Sequence, residues 1–95
     1  MDLEFSGAIW EWRGPAPYHF ISIPPDGVKA IQAVANLVTY GWGMIPAEIR
    51  IGSSEWKTAL WPKDGGYVVP IKDQYRKGEE LVLGDQVPIE VVIRR

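Results

Sequence analysis

Apolar and polar side chains alternate over residues 3–12, with Leu3, Phe5, Gly7 and Ile9 on one side and Glu4, Ser6, Ala8, Trp10 and Trp12 on the other. Successive side chains leave a strand on opposite faces, so a period of two predicts a half-buried β-strand. Arg13-Gly14-Pro15-Ala16-Pro17 predicts a turn, because two prolines cannot donate to a ladder. Residues 18–23 predict a second strand, paired with the first as a hairpin and ended by Pro24-Pro25. Asp26 then reads as a helix N-cap. Val28, Ile31, Val34, Ala35 and Val38 follow at helical spacing, and Gly41-Trp42-Gly43 closes that helix.

The second half returns to strands. Ile45–Ile51 alternates, Gly52-Ser53-Ser54 turns, and residues 55–61 alternate again. Pro62-Lys63-Asp64-Gly65-Gly66 is the clearest hairpin loop, since Asp-Gly-Gly accepts positive φ with little steric penalty. A fifth strand is predicted over residues 67–71 and a single helical turn over residues 73–77, ending at Gly78. After a turn at Gly84-Asp85, a last strand over residues 87–93 places Val87, Ile89, Val91 and Ile93 on its buried face.

Two of these strands match each other. Ile45-Pro46-Ala47-Glu48-Ile49-Arg50-Ile51 aligns with Val87-Pro88-Ile89-Glu90-Val91-Val92-Ile93, with proline, glutamate and the four inward apolar positions coinciding. Each copy follows an apolar strand, a proline (Pro24 or Pro70), a helical stretch and a glycine turn. Proline is tolerated in a strand where its missing N–H faces no partner, so the shared position suggests equivalent sheet edges. The pattern predicts a mostly-β single domain over residues 1–95: a small closed or double-split barrel of about six strands, with one longer and one short helix and a pseudo-two-fold repeat. Closure hides strand edges that otherwise invite aggregation.

Composition narrows the function classes. Five Trp, four Tyr and two Phe supply much of the packing area in a chain without cysteine, which has neither disulfides nor a thiolate. The absence of cysteine fits a reducing cytoplasm, and the acidic start Met1-Asp2-Leu3-Glu4-Phe5 does not read as a signal peptide, so a cytoplasmic location is expected. No apolar run approaches the roughly 20 residues that span a bilayer, so no membrane role is expected. A net charge of −2 with both signs scattered argues against a general binder of nucleic acid or anionic membrane.

The stretch Tyr67-Val68-Val69-Pro70-Ile71-Lys72, with Arg76-Lys77, Leu81 and Gly84-Asp85-Gln86-Val87, resembles the swapped-hairpin signature of AbrB/MazE-type double-split barrels. The whole chain resembles a bacterial and archaeal domain-of-unknown-function (DUF) family, sometimes joined to a YdeI/OmpD-associated, bacteriocin-protection segment. The resemblance is carried by Phe5, Ile9-Trp10, Tyr18-His19-Phe20, Ile23-Pro24, Ile49-Arg50-Ile51-Gly52, Trp56-Lys57-Thr58-Ala59-Leu60, Asp64-Gly65-Gly66-Tyr67, Pro70-Ile71-Lys72, Arg76-Lys77 and Gly84-Asp85-Gln86-Val87. It implies a monomeric barrel with both halves in one chain, where AbrB-type proteins need two, and it implies no activity. The sequence ends at Arg95 before any YdeI-like segment, so no role of that segment is expected here.

Candidate chemistry is sparse. His19 is the sole histidine, and Ser22, three residues along the same strand, belongs on the opposite face, which disfavours a nucleophile–base pair. One histidine, no cysteine and scattered carboxylates give no metal-ligand spacing, and no metal or other cofactor is expected. Gly41-Trp42-Gly43 and Asp64-Gly65-Gly66 lack the Lys-Ser/Thr of a phosphate loop and read as turns. Glu79-Glu80 reads as a solvated turn. Trp10, Trp12, Tyr18 and Trp61 fall on otherwise polar strand faces, as a contact patch or as core beneath the barrel's helices. Lys72, Arg76 and Lys77 form a basic cluster, extended by Lys57 and Lys63 and interrupted by Asp64, Asp73, Glu79 and Glu80, as on a charge-paired surface.

Three functional readings follow. The first is a non-catalytic module that binds a protein or small molecule through the aromatic patch. The second is nucleic-acid binding by analogy with AbrB-type barrels, an expectation from fold alone and disfavoured by the charge. The third is an enzyme or ligand carrier with a site at the barrel mouth near His19, Trp10 and Arg76, which requires convergent polar groups in a pocket.

Overall fold

The computed structural model describes residues 1–14, 18–34 and 43–93. Its strands are β1 (Asp2–Trp12), β2 (Tyr18–Ser22), β3 (Ile45–Ile51), β4 (Ser54–Lys63), β5 (Gly66–Ile71) and β6 (Gln86–Ile93). Among the described residues the helices are α1 (Pro25–Gln32), between β2 and β3, and α2 (Asp73–Gly78), between β5 and β6. The strands close into an antiparallel barrel in the order β1-β2-β5-β4-β3-β6.

The two longest strands each change partner midway. β1 pairs with β6 over Asp2 to Ala8 and with β2 over Ile9 to Trp12. β4 pairs with β3 over Ser54 to Leu60 and with β5 over Trp61 to Lys63. Both strands therefore belong to both sheets of the barrel, and each opens a split where its pairing switches.

Exchanging β1 with β4, β2 with β5 and β3 with β6 maps the ring onto itself. The β3–β6 ladder carries the sequence repeat: Ile49 pairs with Val91, the position that the repeat equates with it. Pro46 and Pro88 take equivalent positions, each where its strand has no partner on the β3–β6 side. They lie just beyond opposite ends of the β3–β6 ladder, which runs from Ala47–Ile93 to Arg50–Glu90.

Alternation puts Ile9, Ile21, Ile45, Ile49, Leu60, Val69 and Val91 inside, each no more than 2% exposed. The helices pack against this interior: Ile31 of α1 is fully buried within it, and Tyr75 of α2 stacks on buried Trp56 with ring centroids 4.3 Å apart. Asp64 and Gly65 both take positive φ, 51° and 79°, as a two-residue hairpin turn of the twisted kind requires. That turn sets Lys63 opposite Gly66 and Trp61 opposite Val68.

Asp26 is not the N-cap of α1. Pro24 occupies that position without a side-chain cap, and Pro25 starts the helix, its fixed φ suiting the first turn. Asp26 sits inside that turn, where its charge favours the helix dipole. α1 ends at Gln32, and the expected helical positions Ala35 and Val38, with Gly41 and Trp42, lie outside the described residues. So do Pro15, Ala16 and Pro17 of the first expected turn. Glu79 is not a merely solvated turn residue: its carboxylate accepts hydrogen bonds from the hydroxyls of Ser53 (3.2 Å) and Ser54 (2.7 Å), tying the end of α2 to the β3–β4 turn.

Candidate functional site: an aromatic face and the cleft beside it

Residues opposite each other in an antiparallel pair share a face. Trp12 lies across from Tyr18, Trp10 from Phe20, Phe20 from Pro70, and Trp61 from Val68. The ladders therefore gather Trp10, Trp12, Tyr18 and Trp61 on the outer face of the β1-β2-β5-β4 sheet. Phe20 completes the set and is its hub, with ring centroids 5.1 Å from Trp10, 6.0 Å from Tyr18 and 5.2 Å from Trp61. Tyr18 meets Trp61 edge-on at 5.2 Å and stacks on Trp12 at 6.3 Å.

Burial differs sharply within the cluster. Phe20 is 2% exposed, whereas Trp12 and Tyr18 are each 42% exposed. Trp10 and Trp61 are half-buried. Trp10 is held in place, its indole N–H donating to the Ser22 hydroxyl at 2.9 Å and the Lys63 ammonium lying 6.0 Å from its ring. A shallow depression of about 230 Å³ runs between Trp12, Phe20, Trp61, Pro62, Lys63 and Val68.

The inner face of the same strands carries the polar group. Glu11 pairs across from His19, and His19 from Ile71. The imidazole, 14% exposed, lies between two carboxylates, with Nε2 3.7 Å from Glu11 and Nδ1 3.9 Å from Asp73. Each carboxylate also has an arginine: Arg13 sits 3.2 Å from Glu11 and Arg76 sits 3.5 Å from Asp73. Ser22 is on the outer face, committed to Trp10, so it supplies no nucleophile to His19.

Of the residues expected at a barrel-mouth site, His19 and Arg76 converge on Asp73, and Trp10 faces away on the outer sheet surface. The basic cluster does not act as one patch. Arg76 is paired with Asp73, Lys63 lies 3.8 Å from Asp64, and Lys57 stands opposite Glu48 on the neighbouring strand. Lys72 and Lys77 are exposed. Among the described residues no group of three or more His, Asp or Glu side chains is placed to hold a metal ion. No described helix is long and apolar enough to cross a membrane.

A cleft of about 350 Å³ adjoins the aromatic face, lined by Tyr18, His19, Thr58, Trp61, Pro70, Ile71, Lys72 and Asp73. Its origin is topological. β4 leaves β5 at Trp61 to pair with β3, so Thr58 of β4 and Pro70-Ile71 of β5 stand apart across the gap. The barrel-mouth site expected near His19 included neither Thr58 nor Trp61, since only the change of partner within β4 creates this opening.

Six antiparallel strands, two of them shared between sheets and related by a pseudo-two-fold, make this a double-split β-barrel completed by a single chain. The chain belongs to the family described as a domain of unknown function, DUF1905, whose model matches residues 5–91. No curated protein matches it.

Proposed function

We propose that this chain is a non-catalytic binding module that works as a cytoplasmic monomer and holds a protein or small-molecule ligand against its aromatic face. The observation that carries the reading is the stack of exposed Trp12 on exposed Tyr18, which in turn meets the buried Phe20 on which their sheet face is built. Rings presented at a surface and held by neighbouring rings give large contact area with little side-chain freedom left to lose. Support for a monomer comes from the closed ring, in which every strand has a neighbour of the same chain on both sides. Support for the cytoplasm comes from the absence of cysteine. We do not extend to it the duplex binding of AbrB-type barrels, because Arg76 is taken up by Asp73 and fold likeness alone is no warrant for function.

The test uses a neutral fluorescent probe of apolar surface, N-phenyl-1-naphthylamine, added to the folded protein. Enhanced emission that is lost in the Trp12→Ser/Tyr18→Ser double variant, with unchanged far-UV circular dichroism, is the expected result. Emission equal in both proteins, or absent from both, overturns the reading.

A further inference from the structure

The pseudo-two-fold sets up two splits, one in each half, and they differ. In the first half β1 leaves β2 at Ile9, and that gap is packed shut. A Cβ on Gly7 would lie 2.6 Å from Ile21 Cγ2, and one on Gly27 would lie 2.7 Å from Ile23 Cγ2 and 3.5 Å from Leu3 Cδ1. Two glycines thus let β1, β2 and the eight-residue α1 close on one another. In the second half the shorter α2, six residues long, follows β5, and the split stands open as the 350 Å³ cleft.

We propose that this open split is a binding site for a small molecule made of a flat apolar ring bearing one carboxylate. The proposal rests on the binding-module reading, because Tyr18 and Trp61 belong both to the aromatic face and to the cleft. The volume is at the lower end of the range for small-molecule sites, roughly 300–1,000 Å³. Trp61, Pro70 and Ile71 form an apolar wall that suits a ring. Thr58 and Lys72 are the donors available to an anionic group.

The balance of charge selects the sign of the ligand. Asp73, which a cationic ligand would need, is already shared between Arg76 at 3.5 Å and His19 at 3.9 Å. Glu11, behind His19, is taken by Arg13. Lys72 is exposed at the rim with no carboxylate within 4.0 Å among the described residues, so the cleft keeps one uncompensated positive charge.

The test is titration of the ¹⁵N-labelled protein with 2-naphthoate and with its neutral counterpart 2-naphthamide, followed by amide chemical shifts. The expected result is saturable perturbation centred on Thr58, Ile71 and Lys72, with naphthoate bound about three- to fivefold tighter than naphthamide, the range of a solvent-screened ion pair. Lys72→Met should erase that preference, leaving the two probes with equal affinity; because the residue is exposed, the fold is expected to persist. Equal affinity for the two probes, a preference that survives Lys72→Met, or shifts confined to Trp12 and Tyr18 overturns the proposal. The last of these results leaves the aromatic-face reading standing. Loss of the neutral dye signal with naphthoate still bound at the cleft would separate the two in the other direction.

Discussion

Replacing Phe20 tests whether the outer aromatic face is a structure in its own right. The ring is 2% exposed although it points away from the barrel interior, and Trp10, Tyr18 and Trp61 lie within 5.1–6.0 Å of it. Phe20→Ala removes a fully buried ring and should cost about 3–5 kcal/mol. A domain of this kind has only about 5–15 kcal/mol in hand, so the variant approaches the limit of folding. Phe20→Leu keeps most of the volume and gives up the ring–ring geometry; with aromatic pairs worth about 0.5–1.5 kcal/mol each and not additive, the expected loss is about 1–3 kcal/mol. At about 4–8 °C per kcal/mol for a domain of this size, the melting temperature falls measurably even for leucine. Urea unfolding gives the midpoint and slope, and near-ultraviolet circular dichroism reports the coupled indoles. A cost below about 1 kcal/mol for Phe20→Ala, with an unchanged near-ultraviolet spectrum, would refute the view that Phe20 organises the face.

Two further outcomes follow from other parts of the fold. Ile49→Ala empties a fully buried site on the pseudo-two-fold and should cost about 2–5 kcal/mol in urea unfolding, with a non-additive cycle against Val91→Ala because the two are paired neighbours. The Ser54 hydroxyl chiefly holds the Glu79 carboxyl below its ordinary range; burial opposes it, and hydrogen bonds from the Ser53 hydroxyl and backbone add to the lowering. A lowered folded-state value means that its stabilisation is fully present above the unfolded-state value and is lost as pH falls through the folded one. Glu79→Gln should therefore be less stable than the parent at neutral pH, with the gap closing as the medium becomes acidic below the usual glutamate range; a gap that stays constant with pH would refute the assignment.

The strands were legible where one side is buried and the other is not, as in β3. The alternation over β1 and β6 and the Asp64-Gly65 turn carry their own register, and the match of Ile45–Ile51 to the last strand pointed to the pair at the heart of the β3–β6 ladder. Helix α1 was legible as an element but not at its start, because Asp26 and the preceding proline pair compete for the same end and the ring geometry of proline prevails. Trp10, Trp12, Tyr18 and Trp61 were legible as residues on polar faces. Phe20 was not, since a strand reading Tyr-His-Phe-Ile-Ser is apolar on both sides and gives no sign that its outer face is covered. The signal was the hairpin register, which places Phe20 opposite Trp10. A site near His19 was among the expectations, but the shape of the cleft was not legible: it depends on where β4 exchanges one neighbour for another, and that exchange leaves no trace in the periodicity of β4.

The shared strands also bear on how the chain is made. Four of the six ladders join one half to the other, and only β1–β2 and β4–β5 are internal to a half. A nascent chain that has released its first five strands holds an unsealed sheet whose outermost members, β1 and β3, both wait for the same insert. β6 fills that slot, so the ribosome must deliver the chain through Ile93 before the interior is locked away from water, and closure of the barrel waits on that last strand.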